Sequence, residues 1–166
     1  LIESLRRFSG ESVAVRGAGR TDSGVHALGQ VAHFDLSRAW MPGTLMNALN
    51  YHLKPDPIAI VECSETHSTF DARFSATSRQ YIYRILNRRS PPTLMRNRVW
   101  WIARKLNGEA MRAAASTLVG HHDFTTFRAA ACQAKSPEKT LDRLDIRLDG
   151  DEIIFDVQAR SFLHNQ

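Results

Sequence analysis

Apolar residues at Leu1, Ile2, Leu5 and Phe8 recur at helical spacing and Gly10 follows, so the pattern predicts an opening amphipathic helix that stops at a glycine. Ser12 to Arg16 and Gln30 to Asp35 alternate between apolar and polar positions. They read as two strands able to pair across the glycine-punctuated loop from Gly17 to Gly24. Pro42 suits a first helical turn, and Leu45, Met46, Leu49 and Leu53 then form an apolar stripe that Pro55 and Pro57 end. Ile58 to Cys63 predicts a further strand.

The second half follows the same grammar. Arg79 to Leu86 reads as a strand, Pro91 and Pro92 mark a loop, and Val99 to Ile102 is a short extended run. There Trp100 and Trp101 must point to opposite faces, which places at least one of them in a core or an interface. Asn107 is the expected N-cap of a helix with Met111, Ala114, Ala115 and Leu118 on its buried side. Gly120 is the expected stop, and His121, His122 and Asp123 the exit. Leu144, Ile146 and Leu148, then Ile153, Phe155 and Val157, alternate on either side of Asp149 and Gly150, which is the pattern of a hairpin.

The element order is therefore αββαβ over residues 1 to 63 and βαββ over residues 79 to 160. This predicts an α+β protein of two ferredoxin-like (RRM-like) βαββαβ halves with mainly antiparallel sheets, residues 1–75 and 76–166. Each half is incomplete. The first lacks its opening strand and the second its closing helix and strand, so the pattern predicts a segment of a longer protein.

Composition narrows the class. With 43% hydrophobic residues in 166, the chain can bury a core and is not a disordered polymer. Its apolar runs are short and interrupted by charge, with no pattern of a secretory leader, so a cytoplasmic protein without a membrane span is expected. Two cysteines, Cys63 and Cys132, lie far apart outside any metal or redox spacing and are expected to be reduced thiols. Met41, Met46, Met95 and Met111 read as packing residues.

Charge is unevenly placed. The net value is +5, yet nine basic residues from Arg73 to Lys105 stand without a single acid, leaving the remainder at −4. Arg73, Arg79, Arg84, Arg88 and Arg89 open that run, which is interleaved with Tyr81, Tyr83, Trp100 and Trp101. Arginines among aromatics suit a surface that follows a phosphate backbone and stacks bases, although a solvated basic face has the same composition.

The densest group of reactive residue types is Gly17-Ala18-Gly19-Arg20-Thr21-Asp22-Ser23-Gly24-Val25-His26-Ala27. Its glycines permit close backbone approach, and Arg20 and Asp22 project from one inter-strand loop, where a fixed carboxylate can serve as nucleophile or base. Turn chemistry alone favours an aspartate that bonds its own backbone. Neither phosphate-loop pattern is met. Ser23, His26 and Asp22 are sequence neighbours without the strand-to-helix elbow of a hydrolase.

Gly19 to Ala27, followed by Gly29-Gln30-Val31-Ala32-His33-Phe34-Asp35, resembles the signature of the TruA-type tRNA pseudouridine synthase family. Phe70-Asp71-Ala72-Arg73-Phe74-Ser75-Ala76 running into Arg79-Gln80-Tyr81-Ile82-Tyr83 is similar to a second motif of that family. His122 to Arg128 resembles a third, and Ala159 to Gln166 the start of the last.

The resemblance implies an isomerase that converts uridine to pseudouridine in the tRNA anticodon stem-loop. It would need no cofactor and no metal, and would act as a homodimer. It implies that Asp22 is the catalytic aspartate, that Arg20 assists entry of the flipped nucleotide, and that Tyr81 stacks on the uracil. The family's last motif continues beyond the glutamine matched by Gln166 to a basic partner of that aspartate. Its opening strand likewise has no counterpart here.

Other chemistry is weakly indicated. His121-His122-Asp123 lacks ligand spacing, since adjacent residues on one element point apart. His26 and His33 border a strand, where a hydrogen-bonded structural role is expected. The reading from a different class is a noncatalytic RNA-binding module of two RRM-like halves, in which the Arg20 to Asp22 loop is merely structural.

Overall fold

Leu5, Leu45 and Leu49 form the buried centre around which the first part of the chain folds, with Leu1, Phe8, Val13, Val15, Phe34, Leu36, Trp40, Ile60 and Cys63 packed about them. The computed structural model describes residues 1–130, 132 and 134–163. The chain divides into two compact units, Leu1–Thr21 with Ala27–Ala76, and Asp22–His26 with Thr77–Gln166.

In the first unit α1 (Ile2–Ser9) buries Leu5 and Ser4, and Gly10 closes it at φ 79° by donating its N–H to the Arg6 carbonyl at 2.9 Å. A left-handed residue at this place is one that glycine adopts without strain. Ile2, expected on the buried stripe, is exposed, because the stripe runs through Leu1, Ser4, Leu5 and Phe8. In α2 (Pro42–His52) Pro42 occupies the first turn, and Leu45 and Leu49 face the core, followed by buried Leu53 just beyond the helix. Met46 is half-buried, whereas Met41, expected to pack, is exposed.

The two expected strands do pair antiparallel, but the ladder is confined to β1 (Arg16–Gly17) and β2 (Ala32–His33). Val13, Val15, Phe34 and Leu36 keep the alternation toward the core outside that ladder. Ile58 to Cys63 is not a strand. The Asn50 side-chain amide donates to the Ile60 carbonyl at 2.9 Å and accepts the Ile60 N–H at 2.7 Å, so a helix side chain replaces a neighbouring strand there.

The second unit holds a five-stranded sheet ordered β4-β3-β7-β6-β5. Its strands are β3 (Arg79–Leu86), β4 (Trp100–Trp101), β5 (Gly120–Asp123), β6 (Glu138–Asp149) and β7 (Glu152–Ala159). All pairs are antiparallel except β3 with β4. The helix α3 (Gly108–Ser116) lies between β4 and β5 in sequence and packs on β6. A central β3-β7-β6 order with a helix between β3 and β6 is that of a ferredoxin-like half, and the molecule is α+β.

Asn107 caps α3 by accepting the Ala110 N–H at 3.0 Å, and Ala115 joins Ile85, Ile146 and Ile153 in the core beneath the helix. Ala114, expected on that side, is exposed. The helix ends at Ser116. Gly120 opens β5 at φ 110°, and His121, His122 and Asp123 are strand residues rather than a helix exit, because each pairs across to β6. Neither Trp100 nor Trp101 is buried, so no core role falls to them: β4 is a two-residue edge strand. Among the described residues, no helix is long and apolar enough to cross a membrane.

Candidate active site

The glycine-rich loop rises from a short hairpin neck. Arg16 is in register with His33 and Gly17 with Ala32; beyond them the Ala18 N–H donates to the Val31 carbonyl at 2.8 Å and the Gln30 side chain donates to the Gly19 carbonyl at 2.6 Å. From Gly19 to Ala32 every residue is exposed. At the tip the Val25 N–H returns to the Asp22 carbonyl at 3.1 Å, and Gly24 takes φ 81°, a left-handed conformation that glycine adopts without strain.

Asp22 thus opens an exposed turn. Turn chemistry predicts that its carboxylate should be consumed by the backbone, yet among the described residues the Asp22 side chain makes no hydrogen bond or ion pair. The aspartates that do behave in that way lie elsewhere. Asp71 Oδ1 accepts the N–H groups of Arg73 at 2.8 Å and Phe74 at 3.0 Å, and Asp123 Oδ1 accepts from the backbone and hydroxyl of Thr125. The Phe74 N–H first, then that of Arg73, with His33 and Arg16 nearby, holds the Asp71 carboxyl below the ordinary aspartate range.

Asp71 belongs to the second motif, and the structure brings that motif to the base of the loop. The Ala72 N–H donates to His33 Nδ1 at 3.0 Å, and the Arg16 guanidinium stands 3.8 Å from Asp71 Oδ2. His33 therefore has the hydrogen-bonded role expected of it, whereas His26 is exposed at the tip. Sequence reasoning placed Asp71 in a motif and gave it no role. The available signal was an aspartate four residues before a serine, the spacing of a local turn: the Asp71 N–H donates to Ser75 Oγ at 3.1 Å and the Ser75 N–H returns to the Asp71 carbonyl at 2.7 Å.

Tyr81 lies on β3 opposite Val157, with Tyr83 opposite Phe155 on the same face. Both rings are about half exposed, Tyr81 at 51% and Tyr83 at 50%. The far end of this face, at Ile85, is covered by Ala115 of α3; at the other end Tyr81 and Phe162 meet nearly perpendicular, with ring centroids 5.0 Å apart. With half its surface exposed, the Tyr81 ring has room for a stacked base. Phe162 went unnoticed as a partner in the sequence because its motif lies 81 positions away on the exit from β7. Tyr81 falls in the same unit as the loop tip Asp22–His26, while Arg20 falls in the first unit and is exposed.

The arginines of the basic run are unequal. Arg84 is bound to Glu152 at 2.6 Å and Arg88 lies 3.5 Å from Asp151, so acids from β7 and its turn reach a stretch that is acid-free in sequence. Arg79 donates to the Arg160 carbonyl, and Arg73 lies over the Phe74 ring at 5.8 Å. Arg89 is exposed and makes no ion pair among the described residues. His164, Asn165 and Gln166, the end of the last motif, lie outside the described residues.

A family model described as tRNA pseudouridine synthase matches residues 2–75 and 114–166, which includes the loop of Asp22 and the turn of Asp71. Tyr81 and the arginines from Arg79 to Arg89 fall between the two matched stretches. Three proteins called tRNA pseudouridine synthase A resemble the chain along its whole length. One from Sinorhizobium medicae is 59% identical over 99% of this chain and 67% of its own. One from Xanthobacter autotrophicus is 57% identical over 100% of this chain and 68% of its own, and one from Bartonella henselae is 55% identical over the same shares. The chain thus spans about two thirds of the length of these relatives. An exposed aspartate on a glycine-flanked hairpin loop, a half-exposed tyrosine at a sheet end, and these matches together mean that the chain belongs to the tRNA pseudouridine synthase family.

Proposed function

We propose that this protein isomerises uridine to pseudouridine in the anticodon stem-loop of tRNA, with Asp22 as the reacting carboxylate. The observation that supports this most is the state of Asp22: it stands on an exposed turn of a built hairpin loop, and no group among the described residues binds its carboxylate. Asp71 and Asp123, by contrast, spend an oxygen on their own turns.

The chemistry asks little beyond such a group. The N1–C1′ bond of uridine breaks, the base turns, and C5 bonds to C1′; the proton on C5 leaves to solvent and N1 gains one, so substrate and product have the same atoms. Asp22 assists the first bond cleavage, either by attack on the nucleoside or by removing a sugar proton, and neither route needs a redox partner. The target base must first leave its stack, at a cost of about a few kcal/mol. Tyr81 offsets part of that by stacking on the uracil, Arg20 guides the flipped nucleotide, and Arg73, Arg79, Arg88 and Arg89 contact phosphates, whereas Arg84 of the same run is engaged by Glu152. The protein works as a homodimer in the cytoplasm.

The test is release of tritium from C5 of uridine in a labelled anticodon stem-loop by the complete gene product. Asp22→Asn should abolish release while leaving RNA binding within about threefold. Turnover retained by Asp22→Asn removes Asp22 from the reaction. RNA binding with no turnover in the unaltered protein favours a binding module.

A further inference from the structure

We propose that Asp71 and His33 are positioning residues that hold the Asp22 loop in a single register. The proposal rests on the reading of Asp22 as the reacting carboxylate. The neck of the loop has only two ladder pairs, Arg16 with His33 and Gly17 with Ala32, and so short a hairpin is marginal by itself. A slip of one residue between its strands would move the tip by about 3.4 Å and turn the side chains to the other face. Misplacement of a reacting group by about 1 Å can cost a hundredfold in rate. The Ala18 bond to Val31 and the Gln30 bond to Gly19 extend this short ladder, and contacts from outside the neck reinforce its register.

The turn from Phe70 to Ser75 does so at both members of the first pair. His33 Nδ1 takes the Ala72 N–H at 3.0 Å, and Phe70 sets its ring edge-on to the imidazole with centroids 5.9 Å apart. Arg16 lies 3.8 Å from Asp71 Oδ2. The turn can serve as an anchor because Asp71 organises it, with Oδ1 holding the N–H groups of Arg73 and Phe74 and the backbone closing twice onto Ser75. Ala72, which points its N–H at the histidine, is buried at 2% exposure. A slipped neck could keep His33 on Ala72 or Arg16 near Asp71 but not both, so the native register is the one in which both contacts are made.

The test compares Asp71→Ala and His33→Leu, which remove the anchor, with Asp71→Asn and His33→Asn. The asparagines keep an oxygen for the Arg73 and Phe74 N–H groups or place one near the former Nδ1. In the complete gene product, at a temperature well below the melting point of each variant, Asp71→Ala and His33→Leu should lower kcat about tenfold or more with KM for the stem-loop nearly unchanged. The asparagine variants should recover kcat to within about threefold, and the double variant Asp71→Ala with His33→Leu should be little worse than either alone. Normal kcat in folded Asp71→Ala and His33→Leu overturns the proposal, as does loss of kcat in all four variants in step with loss of folded protein. Asp22→Asn runs beside them. If it still turns over, the reading of Asp22 has failed; if it is silent while the anchor variants work normally, only the anchor has failed.

Discussion

Arg84 on β3 grips a single oxygen of Glu152 on β7, through Nη2 at 2.6 Å and Nε at 2.8 Å. A guanidinium so engaged is a poor phosphate ligand, because contact with RNA would have to replace an existing charge-assisted bond. Arg89, a few residues on, is exposed and has no such acid among the described residues. Each phosphate contact contributes about 0.7 to 0.9 to the slope of log affinity against log salt. Arg89→Ala should therefore reduce that slope for a tRNA stem-loop by nearly one contact, and Arg84→Ala should change it much less. Fluorescence titrations between low and moderate salt measure both slopes. An equal drop in both variants would mean that RNA takes Arg84 from Glu152.

Tyr81 meets Phe162 nearly perpendicular and keeps half its surface exposed. Stacking of one base on an aromatic ring is worth about 1 to 3 kcal/mol, so Tyr81→Ala should lower kcat/KM by about ten- to hundredfold. Tyr81→Phe keeps the ring and should retain stacking. Phe162→Ala frees the Tyr81 ring to rotate and should fall between the two. Steady-state kinetics on the stem-loop order the three variants. If Tyr81→Phe is as impaired as Tyr81→Ala, the hydroxyl rather than the ring carries the effect.

The helices and the β6–β7 hairpin were legible because each satisfies itself locally. The Leu45, Leu49 and Leu53 stripe, the Asn107 cap and the alternation either side of Gly150 are written in residues close together in sequence. What could not be read depends on distant partners. Ile60 alternates like a strand residue, but its backbone is claimed by the Asn50 amide. His121 and His122 follow a helix, yet pairing with Thr140 and Lys139 makes them a strand. The site divides along the same line. The loop motif around Asp22 stands out in sequence, whereas the Asp71 turn that meets Arg16 and His33 acquires meaning only once residues 39 positions apart are in contact.

Asp123 shows how such a turn responds to acid. Its carboxylate accepts from the Thr125 hydroxyl and then from the Thr125 N–H, and these bonds hold its pKa below the ordinary aspartate value in the folded state. The proton therefore binds the unfolded chain more readily than the folded one. The stabilisation is complete above the unfolded value, about 3.9, and is lost as pH falls through the lower folded value. Asn at this position still offers an oxygen to Thr125 but cannot titrate. The urea midpoint of the unaltered protein should thus exceed that of Asp123→Asn near neutrality, and the gap should close as the pH is lowered below about 4. A gap that stays constant or widens in acid would show that the Thr125 bonds do not favour the ionised carboxylate. The turn that leads out of β5 would then be held by its backbone alone.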